Sequence, residues 1–165
     1  MTVVDVTPQP DELMVTFMCE FAATPEQVWQ VWADPRLLER WWGPPGYPAT
    51  IVEHELALAA VVSYYMTGPE GERYPGGFQI LAASPPTSLS FEDYFTDESG
   101  ARDTSMPSTR TDVEIETRGE ALATMKVISA FPSREAMEEY SAMGAVEGMA
   151  AALGQIDGLL ASSAQ

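Results

Sequence analysis

A histidine between two glutamates is the first arrangement in this sequence that could carry out chemistry. His54 lies between Glu53 and Glu55, and a neighbouring carboxylate can hold an imidazole as a general base. Adjacent residues of a β-strand point to opposite faces, so the two glutamates would share one face and His54 would lie on the other. This geometry favours a solvated or hydrogen-bonded structural histidine over a catalytic one.

Glu92 and Asp93 are a second candidate, because paired carboxylates can divide the roles of acid and base. They are neighbours in a strand-like run and would diverge, so we expect both at the wet face or the rim of a sheet. Elsewhere the sequence contains no G-x-S-x-G motif for a serine nucleophile, and its glycine-rich stretches do not open a helix as a phosphate loop does.

The sequence has a single cysteine and a single histidine. One thiol cannot form an intramolecular disulfide, and no cluster of soft ligands is present, so we expect neither a metal nor another cofactor. Cys19 alternates with apolar residues and has no basic neighbour in the sequence, which predicts packing in the core. Both counts are typical of a protein from a reducing cytoplasm.

Aromatic and methionine side chains say more about function than the polar candidates do. Rings and deformable thioethers suit a cavity with variable contents, although they suit an ordinary core equally well. The hydroxyl groups of Tyr64 and Tyr94 could orient the polar end of a ligand. The residues that we expect to contact a ligand are Trp32, Trp42, Tyr64, Met66, Phe78, Phe91 and Met143.

Charge excludes several classes of partner. The 165 residues include 25 Asp and Glu against 8 Lys and Arg, for a formal net charge of −17. This excess repels phosphate backbones and anionic lipid headgroups, so neither nucleic acid nor a membrane is an expected partner. The sequence also lacks a basic segment followed by an apolar signal stretch, and it lacks an apolar run of about 18 residues. We therefore expect a cytoplasmic protein whose carboxylates keep it dispersed.

Periodicity indicates the elements that position these candidates. Residues 1–12 contain two prolines and little pattern, and we interpret them as an N-terminal arm or a frayed first strand. A single domain is expected over residues 13–165. Residues 13–21 alternate with the two-residue period of a strand, and Thr24 begins the first of two short helices that Asp34 and Pro35 separate.

Six strand-like runs separated by turns follow, and Ser133 begins a helix that we expect to continue to about Ala161. The alternative is a break near Gly154, because glycine costs roughly 0.8–1 kcal/mol relative to alanine inside a helix. One strand, two short helices, further strands and a long terminal helix predict an α+β fold, with an antiparallel sheet of about six or seven strands around that C-terminal helix.

The segment TPEQVWQVWADPRLLERWWGPPG, residues 24–46, resembles the opening signature of bacterial single-domain proteins related to the activator of heat-shock protein 90 ATPase. These belong to the START-like, polyketide cyclase and lipid-transport superfamily (SRPBCC). Residues 66–77, 84–95 and 143–161 are also similar to that family. The resemblance implies a helix-grip fold, in which a bent antiparallel sheet surrounds the terminal helix and leaves an apolar cavity. The chain departs from the family at residues 55–60, ELALAA, where relatives carry an arginine and paired glycines.

Three functions follow as hypotheses. The first is non-catalytic binding of a small hydrophobic or aromatic molecule, lipid-like or polyketide-like, in the cavity. The second is an enzyme of the cyclase or aromatase type that uses the same cavity, for which His54, Tyr64 and Glu92 are the candidate catalytic residues. The third, implied by the resemblance, is an interaction protein that docks a chaperone.

Overall fold

The computed structural model describes residues 3–97, 99, 101–105 and 108–163. Eight strands form one antiparallel sheet. They are β1 (Val3–Gln9), β2 (Met14–Phe21), β3 (Ala49–Glu53), β4 (Val61–Thr67), β5 (Arg73–Ser84), β6 (Ser88–Phe95), β7 (Thr109–Gly119) and β8 (Leu122–Ala130). Their order across the sheet is β1-β2-β8-β7-β6-β5-β4-β3, so β1 and β3 are the edge strands.

Five helices accompany the sheet: α1 (Pro25–Ala33), α2 (Pro35–Trp41), α3 (Arg134–Ala142), α4 (Ala145–Leu153) and α5 (Ile156–Ser163). Thr24 begins α1 with a capping box that its side chain completes with Gln27. The Asp34 carboxylate accepts from the N–H of Arg36 at the start of α2, and the Ser133 hydroxyl accepts from Ala136 at the start of α3. The two short helices after the first predicted strand are confirmed.

The core lies on one face of the sheet, under the helices. On β2, the alternate residues Val15, Phe17, Cys19 and Phe21 are buried. On β7 the same alternation buries Val113 and Ile115 and leaves the intervening charged residues outside. The helices contribute to the same cluster of buried side chains. This α+β arrangement is the helix-grip fold that the resemblance implies, with eight strands instead of six or seven.

The additional strand lies in residues 1–12, which were interpreted from the sequence as an N-terminal arm or a frayed first strand. β1 pairs with β2 from Val3↔Cys19 to Gln9↔Met14, and a 3₁₀ turn at Pro10–Glu12 connects the two strands. Strand periodicity is hidden here by Pro8, but an edge strand tolerates proline because one row of its N–H groups has no partner strand. The described part of this segment is therefore a paired strand and not a free arm.

The C-terminal segment forms three helices, α3, α4 and α5, whereas one uninterrupted helix was expected from the sequence. Gly144 adopts φ +76° between α3 and α4, a left-handed conformation that glycine takes without a Cβ clash. α4 then ends at Gly154, so the alternative of a break there is confirmed. The side-chain amide of Gln155 donates to the carbonyl oxygens of Trp41 (3.2 Å) and Gly43 (2.8 Å), which fixes the second break against the end of α2.

The departure from the family at residues 55–60 preserves the local pairing. Ala59 adopts φ +68°, a conformation that favours glycine. Its N–H donates to Ile80 (2.9 Å), and the N–H of Ile80 donates to Ala60 (2.8 Å). The chain therefore continues along β5 with an alanine in a conformation that costs backbone energy.

In the part of the chain that the structure describes, no helix is long and apolar enough to cross a membrane. The same residues contain no group of three or more His, Cys, Asp or Glu side chains that could hold a metal ion.

Candidate ligand-binding cavity

A cavity lies between the inner face of the sheet and helices α3 and α4. It has two chambers that share Tyr64, Met66, Asp93, Phe95 and Tyr140 as lining residues. The α3 chamber has a volume of about 130 Å³, and the α4 chamber about 230 Å³. An apolar cavity of about 150 Å³ accommodates benzene, so the α4 chamber exceeds that size and the α3 chamber is slightly smaller.

Each chamber has its own helical wall. Ala136, Tyr140 and Met143 close the α3 chamber together with Phe131, which follows β8. The α4 chamber is closed by Trp42, Ala145, Gly148, Met149 and Ala152. Apart from the tyrosine hydroxyls, the Trp42 indole N–H and the Asp93 carboxyl, these side chains offer hydrophobic contacts.

A tyrosine and an aspartate form the polar base of the cavity. The Tyr64 hydroxyl of β4 donates to Asp93 Oδ1 of β6 at 3.2 Å. Burial raises the pKa of the Asp93 carboxyl to about 7, although hydrogen bonds from Tyr64 and from the Tyr94 backbone lower it. Burial, and then the charge of Asp93, raises the pKa of Tyr64 well above its ordinary value. The Asp93 carboxyl therefore gains and loses a proton near neutral pH, in surroundings that are largely apolar.

Trp42 brings an indole N–H to this base. The indole N–H groups of Trp32, Trp41 and Trp42 differ in their partners. Trp41 donates to the carbonyl of Val31 (2.8 Å), and the Trp32 N–H lies 3.2 Å from the Met125 sulfur. Trp42 Nε1 is buried and makes no hydrogen bond that meets the usual geometry in the described part of the chain. The indole still acts on the Tyr64 hydroxyl, whose pKa it lowers against the larger effect of burial.

Tyr140 approaches the same carboxylate from the helical side. It is half-buried, and its ring packs on Phe131 with centroids 4.8 Å apart. Burial raises the pKa of Tyr140 above the ordinary tyrosine value, and the charge of Asp93 raises it by a smaller amount. Asp93 is thus near two tyrosine side chains that stay protonated at neutral pH.

Exposed apolar side chains border the α3 chamber. Tyr74, Phe95 and Met143 line it and are 51%, 41% and 55% exposed. Exposed large apolar groups that adjoin a cavity provide contact area for an incoming hydrophobic molecule.

Four of the seven predicted ligand contacts line the cavity: Trp42, Tyr64, Met66 and Met143. The other three, Trp32, Phe78 and Phe91, point inward but lie one layer deeper and are fully buried. Phe78 and Phe91 pack with centroids 4.3 Å apart, and Trp32 contacts Phe91 at 5.8 Å. Their depth has a packing reason, since these rings fill the space behind the cavity wall.

The structure does not bring the three candidate catalytic residues together. His54 Nε2 donates to the Trp32 carbonyl at 2.9 Å, outside the cavity lining. Glu92 lies on the outer face of β6, where Arg102 is 2.6 Å away and the Ser108 hydroxyl donates to it at 3.1 Å. Strand alternation separates Glu92 from Tyr64, so only Tyr64 of the three faces the cavity.

Asp93 and Tyr140 were missed as site residues. The prediction that Asp93 lies at a wet face or rim is wrong, because it shares the inner face of β6 with Leu89 and Phe91. Its place two residues after Phe91 carried that information, since side chains two apart in a strand point the same way. Helical spacing carried the signal for Tyr140, which follows Ala136 by four residues in α3 and lines the α3 chamber with it.

Comparisons with known proteins agree with this architecture. A protein from Arthrobacter aurescens, solved by NMR in solution, is 41% identical with a TM-score of 0.93, over 98% of this chain and 93% of that one. A crystal structure from Mycobacterium smegmatis is 40% identical with a TM-score of 0.86, over 96% of each chain. The AHSA1 protein from Silicibacter pomeroyi, 23% identical with a TM-score of 0.71 over 91% of this chain and 99% of that one, shares the fold.

A search of curated proteins gives no match to this chain. Residues 22–161 match the family model described as Activator of Hsp90 ATPase homolog 1-like protein, which begins directly after β2 and ends within α5. With this match, and with two solved relatives at 40% identity or more, the chain belongs to the Activator of Hsp90 ATPase homolog 1-like family.

Proposed function

We propose that this protein binds a small hydrophobic or aromatic molecule in the cavity between the sheet and helices α3 and α4. The observation that carries the proposal is a pair of apolar chambers that meet at the Tyr64 and Asp93 side chains. Burial of the ligand's apolar surface drives binding, at about 25 cal/mol per Å² before the costs of association. The polar base orients the guest.

Gly148 allows a direct test. It lies in α4 and lines the α4 chamber, and a Cβ added to it would meet no atom within 4 Å. Gly148→Leu therefore places a side chain where the guest would lie, while replacing glycine inside a helix gains up to about 1 kcal/mol of helix propensity. The matched control is Gly158→Leu, which has equally open surroundings on α5 but does not line the cavity.

The probe is 2-phenylethanol, followed by calorimetry and by the shift in thermal unfolding. We expect the wild type and Gly158→Leu to bind 2-phenylethanol with similar affinity. Gly148→Leu should bind it at least about tenfold more weakly, which corresponds to a loss of about 1.4 kcal/mol of binding free energy, because the leucine fills the site. A free ligand concentration of 100 times Kd raises the free energy of unfolding by about 2.7 kcal/mol. No binding to the wild type, or equal binding to both variants, contradicts the proposal.

An enzyme of the cyclase or aromatase type is the second candidate, and the Tyr64 and Asp93 pair is the observation that favours it. A carboxyl with a pKa of about 7 can deliver or accept a proton at neutral pH. Incubation with a poly-β-ketone thioester tests it: turnover that Asp93→Asn abolishes, with binding retained, would support an enzyme. The chaperone partner remains a prediction, tested by stimulation of a purified chaperone ATPase.

A further inference from the structure

Asp93 is an isolated negative charge in an apolar cavity. Among the described residues, no Lys, Arg or His side chain lies within 4 Å of its carboxylate. Arg102 instead pairs with Glu92, which lies on the outer face of β6. Oδ1 accepts from Tyr64, whereas no described side chain donates to Oδ2. A half-buried carboxylate without a counter-ion pays part of a desolvation cost that a bound cation would offset.

The rings that line the cavity suit a cation as well. Tyr64, Phe95 and Tyr140 line both chambers, and Trp42 lines the α4 chamber beside the same carboxylate. The faces of such rings attract a cation, and the attraction is strongest where water is excluded. An aromatic cavity with one carboxylate at its base is thus complementary to an apolar molecule with a positive end.

The charge of the whole chain acts in the same direction. With a formal net charge of −17, the protein attracts cations and repels anions as they approach. Tyr74, Phe95 and Met143 at the border of the α3 chamber are uncharged and do not oppose this attraction at short range.

Building on the proposed function, we propose that the ligand is a small apolar amine whose ammonium group pairs with Asp93 while its hydrocarbon or aromatic body fills the chambers. The ammonium donates to Oδ2, and Tyr64 continues to donate to Oδ1. Binding is therefore selective for a cation over a neutral or anionic molecule of the same shape.

The groups that face Asp93 determine the pH dependence. Tyr64 faces it from β4 and Tyr140 from α3, and the pKa of each is raised above the ordinary tyrosine value. From β5, Tyr74 lines the α3 chamber and its pKa is also raised, whereas α4 contributes no titratable side chain to the cavity lining. Between pH 5.5 and 8.5 the charge of Asp93 alone changes in the cavity, while an alkylamine with a pKa near 10 stays protonated. The affinity for the amine therefore rises across this range.

Three probes of equal size test the proposal: 2-phenylethylamine, 2-phenylethanol and phenylacetate. On the wild type at pH 8, we expect the amine to bind at least about tenfold more tightly than the alcohol, and the acid most weakly. In Asp93→Asn this preference is lost, and so is the rise in amine affinity with pH. The matched control, Glu92→Gln, removes a neighbouring carboxylate on the outer face and retains both.

The outcomes separate this inference from the proposed function. If the alcohol binds as tightly as the amine, or if Asp93→Asn and Glu92→Gln behave alike, the inference is overturned while the binding function stands. If none of the three probes binds the wild type, both are overturned. Thermal unfolding of Asp93→Asn without ligand verifies that the variant is folded.

Discussion

Gly76 lies directly beneath the ring of Tyr64. A Cβ on Gly76 would come 2.7 Å from the Tyr64 hydroxyl oxygen and 2.8 Å from the ring carbon that carries it. The two residues are cross-strand partners in the β4–β5 pair, so the absence of a side chain at one makes room for the ring of the other. The position of the cavity's polar base thus depends on a glycine in the neighbouring strand.

Replacement of Gly76 by alanine is expected to displace Tyr64 from Asp93. The added methyl group overlaps a buried ring, which costs about 1–3 kcal/mol of unfolding free energy, and affinity for 2-phenylethanol falls with it. Urea denaturation and calorimetry measure the two effects. Gly77→Ala is the control, because its Cβ would meet Tyr94 on the outer face at 3.1 Å. Equal losses of affinity in both variants would contradict the assigned role of Gly76.

Asp93→Asn is expected to stabilise the protein at pH 8 but not at pH 4. The carboxyl has an ordinary pKa of 3.8 and a pKa of about 7 in the folded protein, so between these values the folded state binds more protons than the unfolded one. The stability contributed by the protonated carboxyl is complete below pH 4 and is lost as pH rises through 7. Asparagine avoids that loss, which is roughly 2–4 kcal/mol for a group that remains partly exposed.

Denaturation of wild type and Asp93→Asn at pH 4, 5.5, 7 and 8 measures this effect as a difference, so that the other carboxylates cancel. A difference that is independent of pH would show that Asp93 titrates at its ordinary value.

Ala59→Gly is expected to raise the unfolding free energy. Ala59 adopts φ +68°, where an L-residue with a Cβ is strained by about 1–2 kcal/mol. Glycine relieves the strain but has a more flexible unfolded chain, so the net gain is roughly 0.5–1 kcal/mol. Urea denaturation measures it, and Ala57→Gly in the same loop serves as the control. A loss of stability at position 59 would mean that the alanine methyl makes a compensating contact.

The thiol of Cys19 is expected to react only after unfolding. Cys19 is fully buried, and burial, with a smaller effect of the Asp157 charge, raises its pKa to about 12. At pH 8 very little thiolate is present, and the thiolate is the reactive form. Labelling with an aromatic disulfide reagent should be fast in 8 M urea and slow in buffer. Rapid labelling of the folded protein would contradict this expectation.

Sequence patterns predicted the family and the fold correctly because both depend on local signals. Thr24, Asp34 and Ser133 are capping residues whose effect is confined to one helical turn, and alternation over β2 and β7 defines the buried face. The WWGPPG motif was specific enough to indicate the family. These features do not depend on how distant segments pack.

The site was harder to predict because its residues differ in depth and in face. Alternation shows that Phe91 points inward, but it cannot show that another layer of side chains separates it from the cavity. The helix breaks posed a similar difficulty, because Gly144 and Gly148 look alike in the sequence and only Gly144 adopts a left-handed conformation. The position of Asp93 could have been predicted, since it lies two residues after Phe91 in the same strand and therefore points to the same inner face.

Because the C-terminal helix is divided, residues of α4 line only one of the two chambers, and Ala136 of α3 lines only the other. A substitution at Ala136 of α3 reshapes only the α3 chamber, and one at Gly148 or Met149 of α4 reshapes only the α4 chamber, whereas Tyr140 and Asp93 line both. Piecewise changes along this helix would therefore alter the shape of one chamber without rebuilding the sheet or the other chamber.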